Sequence, residues 1–455
     1  MIYDLVILGG GPAGYLAAER AGHAGIKTAL IEERSLGGVC LNEGCIPTKT
    51  LLYSAKIYDS ASHGEKYGVR ADGLTIDHAA VIRRKDKVVK LLVSGVGSAM
   101  KANGVDVIKE RGIIKGRSPD GIQVVAGEQV ITGKRLLIAS GSSPAVPPIE
   151  GLKAGLERGF VLTSREILDL KEKPARLLII GGGIIGLEFA SYFSSIGTQV
   201  QVVEMLDHIA GENDPEMIAL LKETFEKRGI AFALSAKVTA IEEKGVRFEQ
   251  NGVSQMAETD LVLLSIGRRA NIRDIGLENL SLCTERGGIT VDDRMRTSQP
   301  DIWAAGDVTG YSMFAHTAYR EAEVAVNDML GIQDRMRYNA IPAVIYTNPE
   351  LSAIGETESS AALKGLPFET VKVSLRYSGR YLAENEGGNG LMKLIVNRET
   401  RQVLGAAVLA NYSSEFIVAA GTWIETGMTL DMIKRVVFPH PTVSEILREA
   451  IFRYE

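Results

Sequence analysis

A chain of 455 residues has room for roughly three to four domains, and its 45% hydrophobic and 24% charged content is that of an ordinary globular protein. A net charge of −5 gives no bulk electrostatic case for nucleic acid. Three cysteines exclude a disulfide scaffold and point to a reducing compartment.

The chain enters strand pattern at once, over residues 3–8, without a basic region followed by a cleavable apolar stretch. No apolar run reaches membrane-spanning length. A cytoplasmic protein is expected, with neither nucleic acid nor membrane as a partner. The first strand leads into Gly9-Gly10-Gly11-Pro12-Ala13-Gly14, a helix to about Ala24, and a second strand, Lys27 to Ile31, that ends at Glu32. This is a whole dinucleotide-binding unit. Gly9 permits the tight turn, Gly11 lets a pyrophosphate approach the backbone, and Gly14 lets helix pack on strand. Glu32 lies where an acid accepts ribose hydroxyls.

Residues 37–49, GGVCLNEGCIPTK, hold two of the three cysteines, five residues apart. Five residues of regular helix rise roughly 7.5 Å, whereas disulfide Cα atoms lie within about 4.4–6.8 Å. A Cys40–Cys45 pair therefore requires a distorted backbone, which Gly44 permits, and Pro47 suits the first turn of a helix that starts there. A cysteine near such a start has its thiolate stabilised by backbone N–H groups. Alone, the spacing favours two unlinked thiols. With the glycines before it, Pro-Thr-Lys after it and the nucleotide motif beside it, the segment reads as a redox-active disulfide.

A long amphipathic helix is predicted from His78 to about Asn103, with Arg83, Arg84, Lys85, Lys87 and Lys90 on a solvated face. Short β segments with turns at Gly112, Gly116 and Gly121 fill residues 105–138. A strand ending near Ser140 and Gly141 closes the first domain. The motif then recurs: a strand over 176–180, Gly181-Gly182-Gly183-Ile184-Ile185-Gly186, a helix to about Ile196, and a strand over 199–203 ending at Glu204. Each acid stands 18 residues after its last glycine. Gly181, Gly183 and Gly186 thus repeat the first unit, and Glu204 would repel a 2′-phosphate, so NAD is preferred to NADP.

Buried strands are predicted over 260–267, ending at Gly267, and 302–307, ending at Asp307. A carboxylate at such a strand end binds a cofactor hydroxyl or merely caps a helix. Antiparallel strands follow (341–347, 391–397, 402–410), then helices at 413–427 and 429–437. Phe416, Ile417, Ala420, Trp423 and Ile424 recur at helical spacing as core or interface. His440 precedes a proline, in extended backbone, with Glu445 five residues on to orient the imidazole and raise its basicity. Cys283 has no evident partner and is expected as a buried small hydrophobe.

Together these blocks resemble the pyridine nucleotide–disulfide oxidoreductase family, and within it most closely its dihydrolipoamide dehydrogenases. The resemblance runs from the first strand to the last fifteen residues, most specifically through GGVCLNEGCIPTK, GGGIIGLEFA with VQVVE, TSQPDIWAAGDV and HPTVSEI. It implies an α/β fold of two Rossmann-like dinucleotide-binding domains and a C-terminal α+β dimerisation domain. The limits expected are 1–149 for the first part of the FAD-binding domain, 150–268 for the NAD-binding domain, 269–337 for a central domain completing the FAD site, and 338–455 for the interface. It implies FAD and NAD as cofactors, a homodimer, and a lipoyl-bearing protein as partner. By this likeness Cys40 is the interchange thiol and Cys45 the thiol against the flavin. Lys49 stands near the flavin with Glu188 as its ion-pair partner. Asp307 binds the ribityl chain, and Ser140, Gly141 and Gly267 line cofactor. His440 and Glu445 form the acid–base pair supplied by the other subunit, with a cis His440–Pro441 bond. No metal site is assigned. Val39, Ala270 and Phe438-Pro439 depart from the common pattern, and none removes a group the mechanism needs. The rivals are another NAD(P)H-dependent disulfide reductase of the family and a non-catalytic FAD/NAD redox sensor.

Overall fold

The computed structural model describes residues 1–454, which divide into two compact units. The first comprises Met1–Thr50, Ala80–Val146 and Gly267–Arg337. Its sheet runs in the order Asp106–Ile108, Thr28–Ile31, Ile2–Leu8, Gln129–Ile138, Gly121–Ala126, Gly112–Ser118, with Ile302–Ala304 also paired to Gln129–Ile138. Ile2–Leu8 is parallel to both its neighbours and buried along most of its length, as a central strand covered on two faces must be. The helix Pro12–His23 follows it, starting at Gly11.

The second unit comprises Leu51–Ala79, Pro147–Ile266 and Tyr338–Glu455. It contains two larger sheets. One is parallel, in the order Ala231–Ala233, Gln199–Val203, Arg176–Ile180, Leu261–Leu264, Val161–Thr163. The other is antiparallel, in the order Ala343–Ile345, Glu350–Gly355, Val403–Ala410, Leu391–Asn397, Phe368–Ser374. The helix Ser413–Thr426 buries Ile417, Ala420 and Trp423 in the core of the latter sheet, with Phe416 and Ile424 packed beside them.

Several expectations are corrected. Strands Glu350–Gly355 and Phe368–Ser374 were not predicted; the second buries only Val371 and Val373 among polar residues, a weak apolar signal. Gly116 is no turn but lies at a register shift inside Gly112–Ser118, at φ 125°, and Gly112 begins that strand. The long helix, His78–Ala102, exposes Arg83, Arg84, Lys87 and Lys90, but Lys85 is buried and paired to Asp86 at 2.7 Å. It follows Val81 and Ile82 by four and three residues, so helical geometry puts it on their buried face. Cys283 is exposed: the hairpin of Thr284–Glu285 and Gly288–Ile289 turns only its second strand inward.

Candidate active site

The cysteine segment is two helices with a break. Gly38–Asn42 ends at Glu43, whose φ of −142° leaves helical space, and Cys45–Ser62 begins two residues later. The predicted distortion is there, but Gly44 has a different role from the one expected. Its φ is not positive; a Cβ on it would stand 3.1 Å from the Val39 carbonyl oxygen and 3.2 Å from Val39 Cγ1. Gly44 is small so that the second helix can close on the first. The sulfurs stand as two thiols, and Cys40 hydrogen-bonds Cys45. That bond and burial push the Cys40 thiol up, while the Lys49 ammonium pulls it the other way. Lys49 lies one turn after Cys45, on the same helix face.

The cysteine segment is fastened to the first glycine turn. Gly37 N–H donates to the Gly10 carbonyl at 2.8 Å. A Cβ on Gly38 would meet Gly11 Cα at 2.6 Å, so only glycine allows this approach. Gly9 sits at φ 107° with the Ala139 carbonyl oxygen 2.2 Å from where a Cβ would be. The helix start at Gly11 has no side-chain cap, which leaves its first N–H groups to an anion. Glu32 is held by the backbone: Oε2 accepts Gly10 N–H at 2.7 Å, and Oε1 accepts the N–H groups of Arg34 and Ser35 at 2.8 and 3.2 Å.

Asp307 caps no helix; Gly306 precedes its short 3-10 turn. Its carboxylate accepts the Ser142 hydroxyl at 2.5 Å, and Ser142 in turn accepts Arg268 Nε at 2.7 Å. Burial pushes the Asp307 carboxyl up, against the Ser142 bond and the Arg268 charge. Ser142, Arg268 and Asn271 were missed by the sequence reading. Asn271 exchanges hydrogen bonds with Ser140: it accepts the Ser140 hydroxyl on its carbonyl at 2.8 Å and donates Nδ2 to the Ser140 carbonyl at 2.9 Å. Its N–H reaches the Gly141 carbonyl at 2.9 Å. The Gly267 carbonyl accepts Ala145 N–H at 3.0 Å.

In the second unit the repeat recurs almost atom for atom. Gly181 sits at φ 104°, and the helix start at Gly183 has no side-chain cap. Space around Gly183 is open, whereas a Cβ on Gly186 would stand 2.1 Å from the Gly181 carbonyl oxygen. Glu204 Oε2 accepts Gly182 N–H at 2.6 Å and Oε1 accepts Leu206 N–H at 2.8 Å. Both glycine turns therefore present what a dinucleotide requires: a cradle that a side chain would fill, an uncapped helix start and an oriented carboxylate. Glu188 is buried on the helix Ile184–Ser195 and accepts Tyr346 N–H at 3.1 Å. Lys49 lies in the first unit and Glu188 in the second.

His440 Nδ1 lies 2.8 Å from Glu445 Oε1, and Glu445 Oε2 accepts Thr442 N–H at 2.8 Å. Burial of Glu445 is outweighed by these two partners, which hold its carboxyl below the usual range. The imidazole is 78% exposed and the carboxylate 18%. The His440–Pro441 bond is cis, as expected, and so is Asn348–Pro349, which was not foreseen. Among the described residues no helix is long and apolar enough to cross a membrane.

Comparison with known proteins agrees with this geometry. The model of the pyridine nucleotide-disulphide oxidoreductase family matches residues 3–322, and that of its dimerisation domain matches residues 341–451. The chain is 38% identical to a dihydrolipoyl dehydrogenase of Chlamydia muridarum, over 98% of this chain and 96% of that one. It is 36% identical to a dihydrolipoyl dehydrogenase of Geobacillus stearothermophilus, over 98% and 95%. Among solved structures it is similar to LpdA of Mycobacterium tuberculosis, with a TM-score of 0.90 at 26% identity over 99% of each chain. It is likewise similar to the HOCl-induced flavoprotein disulfide reductase RclA of Escherichia coli, with a TM-score of 0.87 at 29% identity over 100% of each chain. With two family models spanning nearly its whole length, the chain belongs to the pyridine nucleotide-disulphide oxidoreductase family.

Proposed function

We propose that this protein is a dihydrolipoyl dehydrogenase, which oxidises protein-bound dihydrolipoamide to lipoamide and reduces NAD. It works as a cytoplasmic homodimer that serves a lipoyl-bearing protein of a 2-oxo acid dehydrogenase or glycine-cleavage system. FAD is held by residues 1–149 and 269–337, NAD by 150–268, and residues 338–455 form the subunit interface. The observation that carries the reading is the thiol pair at a helix break tied directly to the first glycine turn. Full-length likeness to dihydrolipoyl dehydrogenases supports the substrate class.

Gly9, Gly11, Gly14 and Glu32 would hold the FAD pyrophosphate and adenosine ribose, with Asp307, Ser140, Gly141 and Gly267 along the rest of the molecule. Gly181, Gly183, Gly186 and Glu204 would hold NAD. Bound flavin supplies the two-electron path between sulfur and nicotinamide. The chain's own residues do the sulfur and proton chemistry. His440, oriented by Glu445, takes the proton of a lipoyl thiol, because the thiolate is the nucleophile. The thiolate attacks Cys40 Sγ of the oxidised pair; the Cys40–Cys45 bond breaks and Cys45 leaves as a thiolate. The second lipoyl thiol then displaces Cys40, closing the lipoamide ring and leaving the pair reduced. Lys49, with Glu188 as its ion partner, keeps positive charge beside the thiolate.

The test is anaerobic mixing of the purified holoprotein with dihydrolipoamide. A long-wavelength flavin–thiolate absorption band is expected, followed by NADH when NAD is added. Bound flavin with neither band nor NADH would leave the protein as a redox sensor rather than an enzyme of this type.

A further inference from the structure

The second glycine turn is covered by a segment outside every motif. After Glu204 the chain folds back over the turn, and Ala210 N–H donates to the Gly182 carbonyl at 2.8 Å. Ile209 is fully buried, its Cγ2 3.1 Å from where a Cβ on Gly182 would be. Ala210 holds φ 63°, a backbone that a residue with a β-carbon rarely adopts and that persists only where its surroundings impose it. Asn213 Nδ2 donates to the Ala210 carbonyl at 2.6 Å. The segment ends at Asp214, the N-cap of the helix Pro215–Lys227, whose side chain accepts the N–H groups of Glu216 and Met217.

Asp214 is where a second sheet takes hold. Lys393, on the strand Leu391–Asn397, donates Nζ to Asp214 Oδ1 and Oδ2 at 2.9 and 2.8 Å and to Glu358 Oε2 at 2.8 Å. Glu216 Oε2 lies 2.9 Å away. The side chains of Lys393 and Asp214 are each only 3% exposed. A buried ion set of this kind is weak evidence for stability, but its geometry is demanding, and removing one member leaves the others uncompensated.

We propose that Lys393 is a positioning residue for the pyridine nucleotide: by fixing Asp214 it holds residues 205–214 closed over the second glycine turn. The antiparallel C-terminal sheet then bears on the affinity of that site through Asp214. This rests on the assignment of NAD to that turn.

The test uses NADH-dependent dye reduction by the purified holoprotein, which needs flavin and nucleotide but no thiol chemistry. Lys393→Met is expected to raise KM for NADH at least about tenfold and to leave flavin reduction by dihydrolipoamide within about twofold of the parent. Asp214→Asn keeps the helix cap and removes the charge; it is expected to raise KM about threefold or more, and it decides the matter should Lys393→Met not fold. An unchanged KM in the folded variants, even with a lowered melting temperature, would reduce Lys393 to a structural residue and overturn the proposal. Gly186→Ala serves as the control. If it too leaves KM unchanged, the site assignment itself falls; if it raises KM and Lys393→Met does not, the positioning role alone falls.

Discussion

His440 and Glu445, five residues apart, form a hydrogen-bonded imidazole–carboxylate pair, proposed as the acid–base pair. The carboxylate uses one oxygen for the imidazole and the other for Thr442 N–H, so the ring is oriented by a group that is itself fixed. General-base assistance is typically worth about 10²–10⁴-fold. His440→Gln is therefore expected to lose dihydrolipoamide turnover by that order while retaining flavin and NADH-to-dye activity. Steady-state assays of both reactions check it, and near-normal lipoyl turnover would remove His440 from the chemistry. At this scale the site residues that a reader of the sequence can find are those whose chemical type recurs at a fixed local spacing: two cysteines, six glycines, two acids, His-Pro with Glu. Ser142, Arg268 and Asn271 could not be found that way. They meet because residues 142–144 pair antiparallel with residues 268–270, a long-range register that no local spacing announces.

The two glycine turns show how much a short element can dictate. Each needs φ near +105° at its first glycine, and each last glycine lies against the carbonyl oxygen of the first, at 1.8 Å from a notional Cβ for Gly14 and 2.1 Å for Gly186. A methyl group at either position must push the helix off its strand. Gly186→Ala is expected to give a yellow, flavin-loaded protein that the thiol substrate still reduces but that oxidises NADH poorly. Gly14→Ala is expected to lose flavin instead. Flavin absorbance per chain, read beside NADH and dihydrolipoamide kinetics, separates the two, and equal loss of both functions in Gly186→Ala would contradict the division of labour. Strands flanking these turns were legible because they are short, apolar and bounded by glycine. The C-terminal sheet was legible only in part: Glu350–Gly355 and Phe368–Ser374 take their strand state from pairing with Val403–Ala410 and Leu391–Asn397 rather than from their own apolar pattern.

For the whole molecule the telling feature is the exposed apolar residues that precede His440 in the sequence. On the single chain Val437 is 92% exposed, Val418 62% and Met432 50%. In the proposed homodimer these residues would be covered, and His440 of one subunit would serve the cysteines of the other. That arrangement makes a prediction no single-chain site can match. Cys40→Ser and His440→Gln are each expected to be inactive as homodimers. Unfolded together and refolded, or co-expressed with two tags, they form mixed dimers in which one site carries both lesions and the other carries none. Random pairing makes half of the dimers mixed, with one competent site in two, so lipoyl turnover of about a quarter of the parent is expected. If His440 instead serves the cysteines of its own subunit, each site keeps one lesion in every dimer, and the mixture stays as inactive as its components.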